Sequence, residues 1–327
     1  MKPLVLTSLP PPSFTRGGFP DVAICLTPFR FVWGRLPSQA EIAGFLGRRT
    51  PGHDDVHWSD WGHRWNRSES REHRDLSLAD FCQRYEIVEL WFDVDPEAQL
   101  ALVWLLDHLR AYPETVTRLK LRLVDQDMEL IEPDEIGNGM PPVIDVTEKE
   151  LSTAQAAWRA YRSSTPEACV DLLQQDLSAL PMLKPVLLDL LTELPSTSTG
   201  LGASEMRMLE MIGRGYSLTD DLFENSTIRQ TYIFDEFEYG YLLDGLAFGP
   251  TPAVVGLDEA LRTMPRENLE DRQGAYKRSR LSLTDFGKAV LAHKEDFSRH
   301  NPIDRWWGGT HLTNDNLWRW SPTLVKP

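Results

Sequence analysis

Strand-length apolar runs and helix-spaced apolar stripes alternate through the first part of the chain, a pattern that predicts an α/β layer. Leu4–Leu6 and Val22–Leu26 are compact aliphatic runs, the second preceded by Gly17-Gly18 and Pro20, and both predict strands. Pro37-Ser38 opens a helix in which Glu41, Ile42, Phe45 and Leu46 fall at spacings of three and four. From Thr50 to Asp75, His, Arg, Asp and Trp crowd together without a period, which predicts a loop. Ser77-Leu78-Ala79-Asp80 starts another helix that turns Phe81, Cys82 and Tyr85 inward. The clearest strand is Ile87–Phe92, which stops at Asp93-Val94-Asp95-Pro96, where Asp95 suits a helix cap and Pro96 the first helical turn. The next helix runs from Glu97 to about Ala111 on Leu100, Val103, Trp104, Leu105 and Leu106. Thr117–Val124 then alternates Leu119, Leu121 and Leu123 with Arg118, Lys120 and Arg122, the period of a strand. Strand, helix and strand in this order predict a parallel pair with a right-handed crossover, in a layer of roughly four strands.

From Thr147 the period is helical. Thr147-Glu148-Lys149-Glu150 has the form of a capping box ahead of an apolar stripe on Leu151, Ala154, Ala157, Trp158 and Tyr161. Thr165-Pro166-Glu167 and Pro181 start two further helices, and Pro195–Gly200 reads as a linker. Beyond it Ser204 is placed to cap a helix carrying Met208, Leu209, Met211 and Ile212; Ser217–Asp220 starts a short second helix and Phe234–Phe248 a third. Val254–Leu257 and Arg280–Leu283 read as two strands, the latter running into a helix at Leu283–Leu291. Three helices, a β-ribbon and a closing helix together predict a winged-helix-like module. In the tail, Asp304–Leu312 and Leu317–Trp320 predict a Trp-rich hairpin that turns at Thr313–Asn316. The expected division is therefore an α/β domain at 1–146, a helical segment at 147–200 and a winged-helix-like domain with its hairpin at 201–327, an α+β chain as a whole.

Composition narrows the classes. With 34 Lys and Arg against 49 Asp and Glu among 327 residues, the net charge of −15 excludes a uniformly basic nucleic-acid wrapper. Three scattered cysteines, Cys25, Cys82 and Cys169, match no zinc spacing and no disulfide framework, which fits a reducing cytoplasm. No apolar run approaches the length of a membrane span, so no membrane partner is expected.

Four blocks carry a resemblance. ELWFDVDPEAQLALVWLLDHL, AQAAWRAYRSSTPEACVDLLQQDLSALPML, LPSTSTGLGASEMRMLEMI, and LSLTDFGKAVLAHKEDFSRHNPIDRWWGGTHL with LWRW after it, occur in that order over about residues 80–320. They are similar to blocks of a bacterial family described as domain of unknown function 1835, some members of which bear labels relating them to RNA polymerase sigma factors. The Arg-Trp-x-Gly-Gly-x-His-Leu block is the most distinctive. The start departs from that family, whose first strand runs into a His-x-x-Asn-Gly-Asp-like segment, because Leu4–Leu6 here meets Thr7-Ser8-Leu9-Pro10. What the resemblance implies is an architecture and a link to transcription.

Several groups can carry chemistry. Asp93 and Asp95 stand at the carboxyl end of a predicted parallel strand, where α/β sheets place ligands, and two carboxylates at that spacing suit a shared Mg²⁺ holding a phosphate. Asp95 as a helix cap is the structural alternative. His53, His57 and His63, interleaved with acids, offer imidazole and carboxylate ligands for a metal, against the plainer reading of a polar loop. Arg305, His311 and Arg319 beside the tail tryptophans suit an anion or base-stacking pocket, whereas tryptophans in a terminal hairpin also serve as packing anchors. Arg272, Lys277, Arg278 and Arg280 give the ribbon a basic patch, while acids outnumber bases nine to three between Gly200 and Gly249. The nucleotide fingerprints Gly-x-Gly-x-x-Gly and Gly-x-x-x-x-Gly-Lys-Ser/Thr and the Gly-x-Ser-x-Gly elbow are all missing, and no catalytic set stands out.

Two functions fit these observations. The first is a regulatory or interaction protein linked to nucleic-acid metabolism or transcription, working through the winged-helix-like module on a protein partner, with nucleic acid touched by the ribbon. The second is an enzyme or binder of an anionic, phosphorylated small molecule at the strand-end carboxylates, with a divalent metal.

Overall fold

In the computed structural model, which describes residues 3–8, 22–49, 56–63, 75–123, 141–224, 233–263 and 274–327, the aliphatic runs of the N-terminal part align as one sheet. Its strands are β1 (Leu4–Thr7), β2 (Val22–Cys25), β3 (Gly62–His63), β4 (Val88–Trp91), β5 (Leu119–Arg122) and β6 (Val143–Asp145), in the spatial order β3-β2-β1-β4-β5-β6. β2, β1, β4 and β5 are parallel, and antiparallel β3 and β6 close the two edges. Register explains the sequence: Leu4 and Leu6 lie beside Ile24, Val88 and Leu90, and these beside Leu119 and Leu121, so one face is a continuous aliphatic layer. The opposite face is mixed. There Glu89 accepts from the Trp91 indole and from Arg122, both at 2.7 Å, and the Arg122 guanidinium lies 4.7 Å from the centre of the Trp91 ring.

The sheet has two more strands than the hydrophobic pattern predicts. Both additions are edge strands of two or three residues, too short to show a period. Gly62–His63 emerges from the stretch expected to be loop, after a 3-10 turn at Trp58–Trp61 whose Trp58 is buried and donates its indole N–H to the Leu76 carbonyl. The remaining expectations in this half hold within a few residues: helices run over Gln39–Leu46, Leu78–Cys82 and Pro96–Leu109, capped by Ser38, Ser77 and Asp95.

The chain divides into two compact units. The first comprises Met1–Phe31, Arg35–Arg162 and Asp171–Val186; the second Val32–Gly34, Ser163–Val170 and Leu187–Pro327. The 147–200 stretch thus contributes to both. In the first unit the Glu148–Tyr161 helix packs along Pro96–Leu109, and Phe31 joins them by standing edge-on to Trp158 at 5.5 Å and tilted against Trp104 at 5.3 Å.

In the second unit the helices Ala203–Gly213, Glu236–Ala247 and Asp285–Leu291 share one core through Met208, Leu209, Leu242, Leu243, Leu246 and Val290. Val254–Val255 (β7) pairs antiparallel with Ser282–Leu283 (β8), and Val254 enters the same core. Gly256, at φ +99°, lies so near the other strand that a Cβ there would stand 1.9 Å from the Arg280 carbonyl oxygen. The Ala203–Gly213 helix is capped at Gly202 rather than at Ser204, which is buried inside the first turn. The tail also differs from the pattern. Asp304–Trp307 (β9) and Thr310–Thr313 (β10) form the hairpin, turning at Gly308-Gly309, because glycine enters the left-handed region freely and Gly308 sits at φ +53°. Thr313 and Asn316 form only an isolated bridge, and Arg319–Trp320 (β11) pairs instead with Leu324–Val325 (β12).

Cys25, Cys82 and Cys169 are all free and buried, and burial pushes the thiols of Cys82 and Cys169 up to about 12. Among the described residues no helix is long and apolar enough to cross a membrane.

Candidate functional site

The order of the parallel strands fixes where a ligand crevice belongs. From β1 the chain moves outward to β2, then returns to the other side of β1 with β4, so the direction of winding reverses between β1 and β4. In open α/β sheets ligands bind beyond the carboxyl ends of the strands at such a reversal. Ser8 and Asp93 meet there: the Asp93 N–H donates to the Ser8 hydroxyl at 3.0 Å, and the Ser8 N–H donates to the Trp91 carbonyl at 3.2 Å. Asp93 is buried; one of its carboxylate oxygens accepts the Val94 N–H at 2.7 Å, and its carbonyl accepts from the Gln99 amide at 2.6 Å. On the β2 side the Cys25 sulfur lies 3.2 Å from the Thr27 hydroxyl, and burial raises the thiol above its ordinary value.

Asp95 acts as the cap, accepting the Ala98 N–H at 2.9 Å. Asp93 and Asp95 therefore hold different backbone donors, and the shared Mg²⁺ seat drawn from their spacing is not formed by these contacts. Among the described residues no group of three or more His, Cys, Asp or Glu could hold a metal ion. A third carboxylate, absent from the sequence-based expectation, lies one turn on. Glu97 is buried in the first helical turn and accepts the Phe31 N–H with both oxygens, at 2.9 and 3.0 Å, with Arg30 at 3.7 Å. An acid in a first turn reads from sequence as a partner for the helix dipole. Its neighbour Phe31 is 66 residues away, beyond any local signal.

Of the three histidines, His57 has a described side chain, and its contacts are structural. His57 is buried, with Nε2 2.9 Å from the Gly47 carbonyl and Nδ1 2.8 Å from the Ser59 hydroxyl. A carbonyl accepts only, so Nε2 carries the proton, and burial lowers the imidazole below its ordinary value. Both nitrogens are engaged, which leaves neither for a metal. His63 lies on β3, and His53 falls outside the described residues.

The tail residues take separate partners. Arg305 pairs with Glu205 at 2.9 Å. His311 stacks on Trp306 with ring centres 4.6 Å apart and its Nε2 2.7 Å from Asp304. Arg319 donates to the Ser196 carbonyl, Asp296 and Ser298. These contacts bring no two of Arg305, His311 and Arg319 onto a common partner, and Trp307 anchors the hairpin by donating to the Leu190 carbonyl at 2.6 Å.

Of the basic residues expected on the ribbon, Lys277 lies instead on a helical turn over 274–277 ahead of β8 and pairs with Asp220 at 3.3 Å, Arg278 and Arg280 follow it and are exposed, and Arg272 falls outside the described residues. Of the acids of the third helix, Glu238 and Asp244 are buried while Asp235 and Glu236 are exposed. Asp235 and Glu238 form its capping box, and buried Asp244 accepts the N–H groups of Leu261 and Arg262 at 2.9 and 3.0 Å. The exposed positions of this helix and its caps include Asp235, Glu236, Phe237, Gly245 and Phe248, an acidic and apolar surface, and Arg262 lies over the Tyr241 ring at 5.6 Å.

No family model matches the chain, and no curated protein matches it either.

Proposed function

We propose that the chain is a regulatory or interaction protein linked to nucleic-acid metabolism or transcription, acting through its C-terminal unit on a protein partner. The observation that carries this reading is a sequence of contacts on one core. The Ala203–Gly213 helix is followed by a bridge from Leu218 to Arg280, then by the Thr219–Glu224 and Glu236–Ala247 helices and the β7–β8 ribbon. Helix, bridging segment, two helices and an antiparallel ribbon in that order are the parts of a winged helix. The block resemblance over about residues 80–320 supports the same reading. A partly exposed helix carrying Phe237 and Phe248 suits a protein groove, while Arg278 and Arg280 suit a phosphate backbone at the rim. Fluorescence anisotropy at low salt with labelled duplex, single-stranded DNA and purified RNA polymerase components tests it. Binding of one of them, weakened by Arg278→Glu with Arg280→Glu or by Phe237→Ala with Phe248→Ala, is expected; binding of none overturns the reading.

A second reading has its own observation: the winding reversal between β1 and β4, with Ser8 and buried Asp93 at its mouth, suits a small polar or phosphorylated molecule. A ligand bound only by the native state raises the melting temperature. A shift with a nucleotide or sugar phosphate that disappears in Ser8→Ala is expected on this reading, and no shift across the set removes it.

A further inference from the structure

The sheet of the first unit ends on β6 with the backbone of that strand half used. The Leu123 N–H donates to the Pro142 carbonyl at 2.9 Å and the Val146 N–H to the Leu119 carbonyl at 3.2 Å, with Ile144 opposite Leu121 midway between them. In an antiparallel ladder alternate residues turn their N–H and C=O to the neighbour, so Pro142, Ile144 and Val146 face β5 while Val143 and Asp145 aim theirs outward. Among the described residues those four outward groups meet no hydrogen-bond partner, and Val143 is 38% exposed, an apolar side chain on an open edge. The opening has sharp limits. Pro141 has no N–H and its carbonyl accepts from Arg122 at 2.8 Å, while the Thr147 N–H donates to Glu150, also at 2.8 Å. Two donors and two acceptors therefore remain, placed symmetrically about Ile144.

We propose that this edge pairs two copies of the chain, β6 against β6 in antiparallel register about a twofold axis through Ile144. Val143 then exchanges hydrogen bonds with the partner's Asp145, and Asp145 with the partner's Val143, which uses every open group and leaves none over. The side chains agree with that register. Ile144 continues the aliphatic face beyond Leu121 and meets its own copy, so the layer runs unbroken from one sheet into the other. On the opposite face each Asp145, already in an ion pair with Lys120, stands across from an apolar Val143, and no like charges oppose. Because the contact is isologous and both ends of the edge are closed, it stops at two copies and does not propagate. The pairing stands whichever function the protein serves.

Sedimentation velocity of the full chain at concentrations up to about 0.5 mM tests it, since so short a strand pair lies at the weak end of interfaces and a dissociation constant of about 100 µM is expected. Val143→Pro removes one outward N–H from each copy at the first residue of an edge strand, where proline fits without disturbing the bonds to β5. Pairing then weakens about tenfold. Opposed residues that share no hydrogen bond stand about 4.5 Å apart at Cα, a span that a disulfide closes. Mild oxidation of Ile144→Cys therefore gives a covalent dimer, and the native thiols, all buried, do not compete. A chain that stays monomeric at the top concentration overturns the proposal and leaves the edge to a strand of another protein. So does a dimer that Val143→Pro leaves unchanged or that Ile144→Cys fails to trap. Should Val143→Pro not fold, trapping through Ile144→Cys decides.

Discussion

The two units bury acids to different ends. In the N-terminal unit three acids gather at the carboxyl edge of the sheet, Asp93 where the winding reverses, Asp95 as a cap and Glu97 on the Phe31 N–H, while Glu89 pairs with Arg122 on the sheet face and buried Glu150 completes a helix cap. In the C-terminal unit carboxylates take the place of a ladder. Asp244 holds the 3-10 turn at Leu261–Thr263, Glu238 completes a capping box, and Glu193 with Glu205 holds the start of the Ala203–Gly213 helix. Short helices expose many unpaired N–H groups at their ends, and buried ends need acceptors. A negative charge total is therefore distributed differently in the two halves: acceptors gathered mostly at one sheet edge in one, splints at several helix and turn ends in the other.

The largest effect should come from removing such a splint. Asp244→Ala strands two backbone N–H groups in a buried turn and is expected to cost about 3 kcal/mol, seen as a lower urea midpoint. A loss under about 1 kcal/mol would break the contrast between the units. Next, Gly256→Ala forces a side chain against the Arg280 carbonyl at a positive φ; a loss of roughly 2 kcal/mol, with faster amide exchange in β7 and β8, is expected. Asp95→Ala in the other unit removes only a cap and should cost about 1 kcal/mol by thermal melting. A cost near zero would place Asp95 with ligand chemistry rather than with the helix.

A further comparison is in pH. His57 is held below its ordinary value chiefly by burial, so below pH 6.5 the unfolded chain binds more protons than the folded one. Its contribution is complete above 6.5 and is lost as pH falls through the lowered native value. Glu193 is raised, so its contribution runs the other way, complete below 4.5 and lost as pH rises through about 7. Denaturation of His57→Gln and Glu193→Gln against the native chain at pH 5.5 and 8 should show slopes of opposite sign, and slopes of one sign would end the comparison.

What was legible follows from range. β1 and β2 are readable as compact aliphatic runs, β4 as an apolar run ending at Asp93, and β5 by its alternation of Leu with Lys and Arg, and the caps at Ser38, Asp95 and Thr147 because a cap is a local device. β3 and β6 are not, since two or three residues become a strand only when a neighbour supplies the ladder. Ser204 has the look of a cap, yet Gly202 takes that place because Glu193 presses on the position and tolerates no side chain. Of the site, Asp93 was visible as the end of a strand, but its partner Ser8 is 85 residues earlier. Glu205 and Arg305 are likewise joined only by the fold.

The concealed thiols have a practical corollary. Cys82 belongs to the first unit and Cys169 to the second, and a sulfur whose thiolate is so disfavoured by burial reacts with an alkylating reagent only when its surroundings come apart. Each is thus a built-in stopwatch for its own half of the molecule, and labelling kinetics followed site by site by mass spectrometry would reveal whether the halves unravel together or in turn.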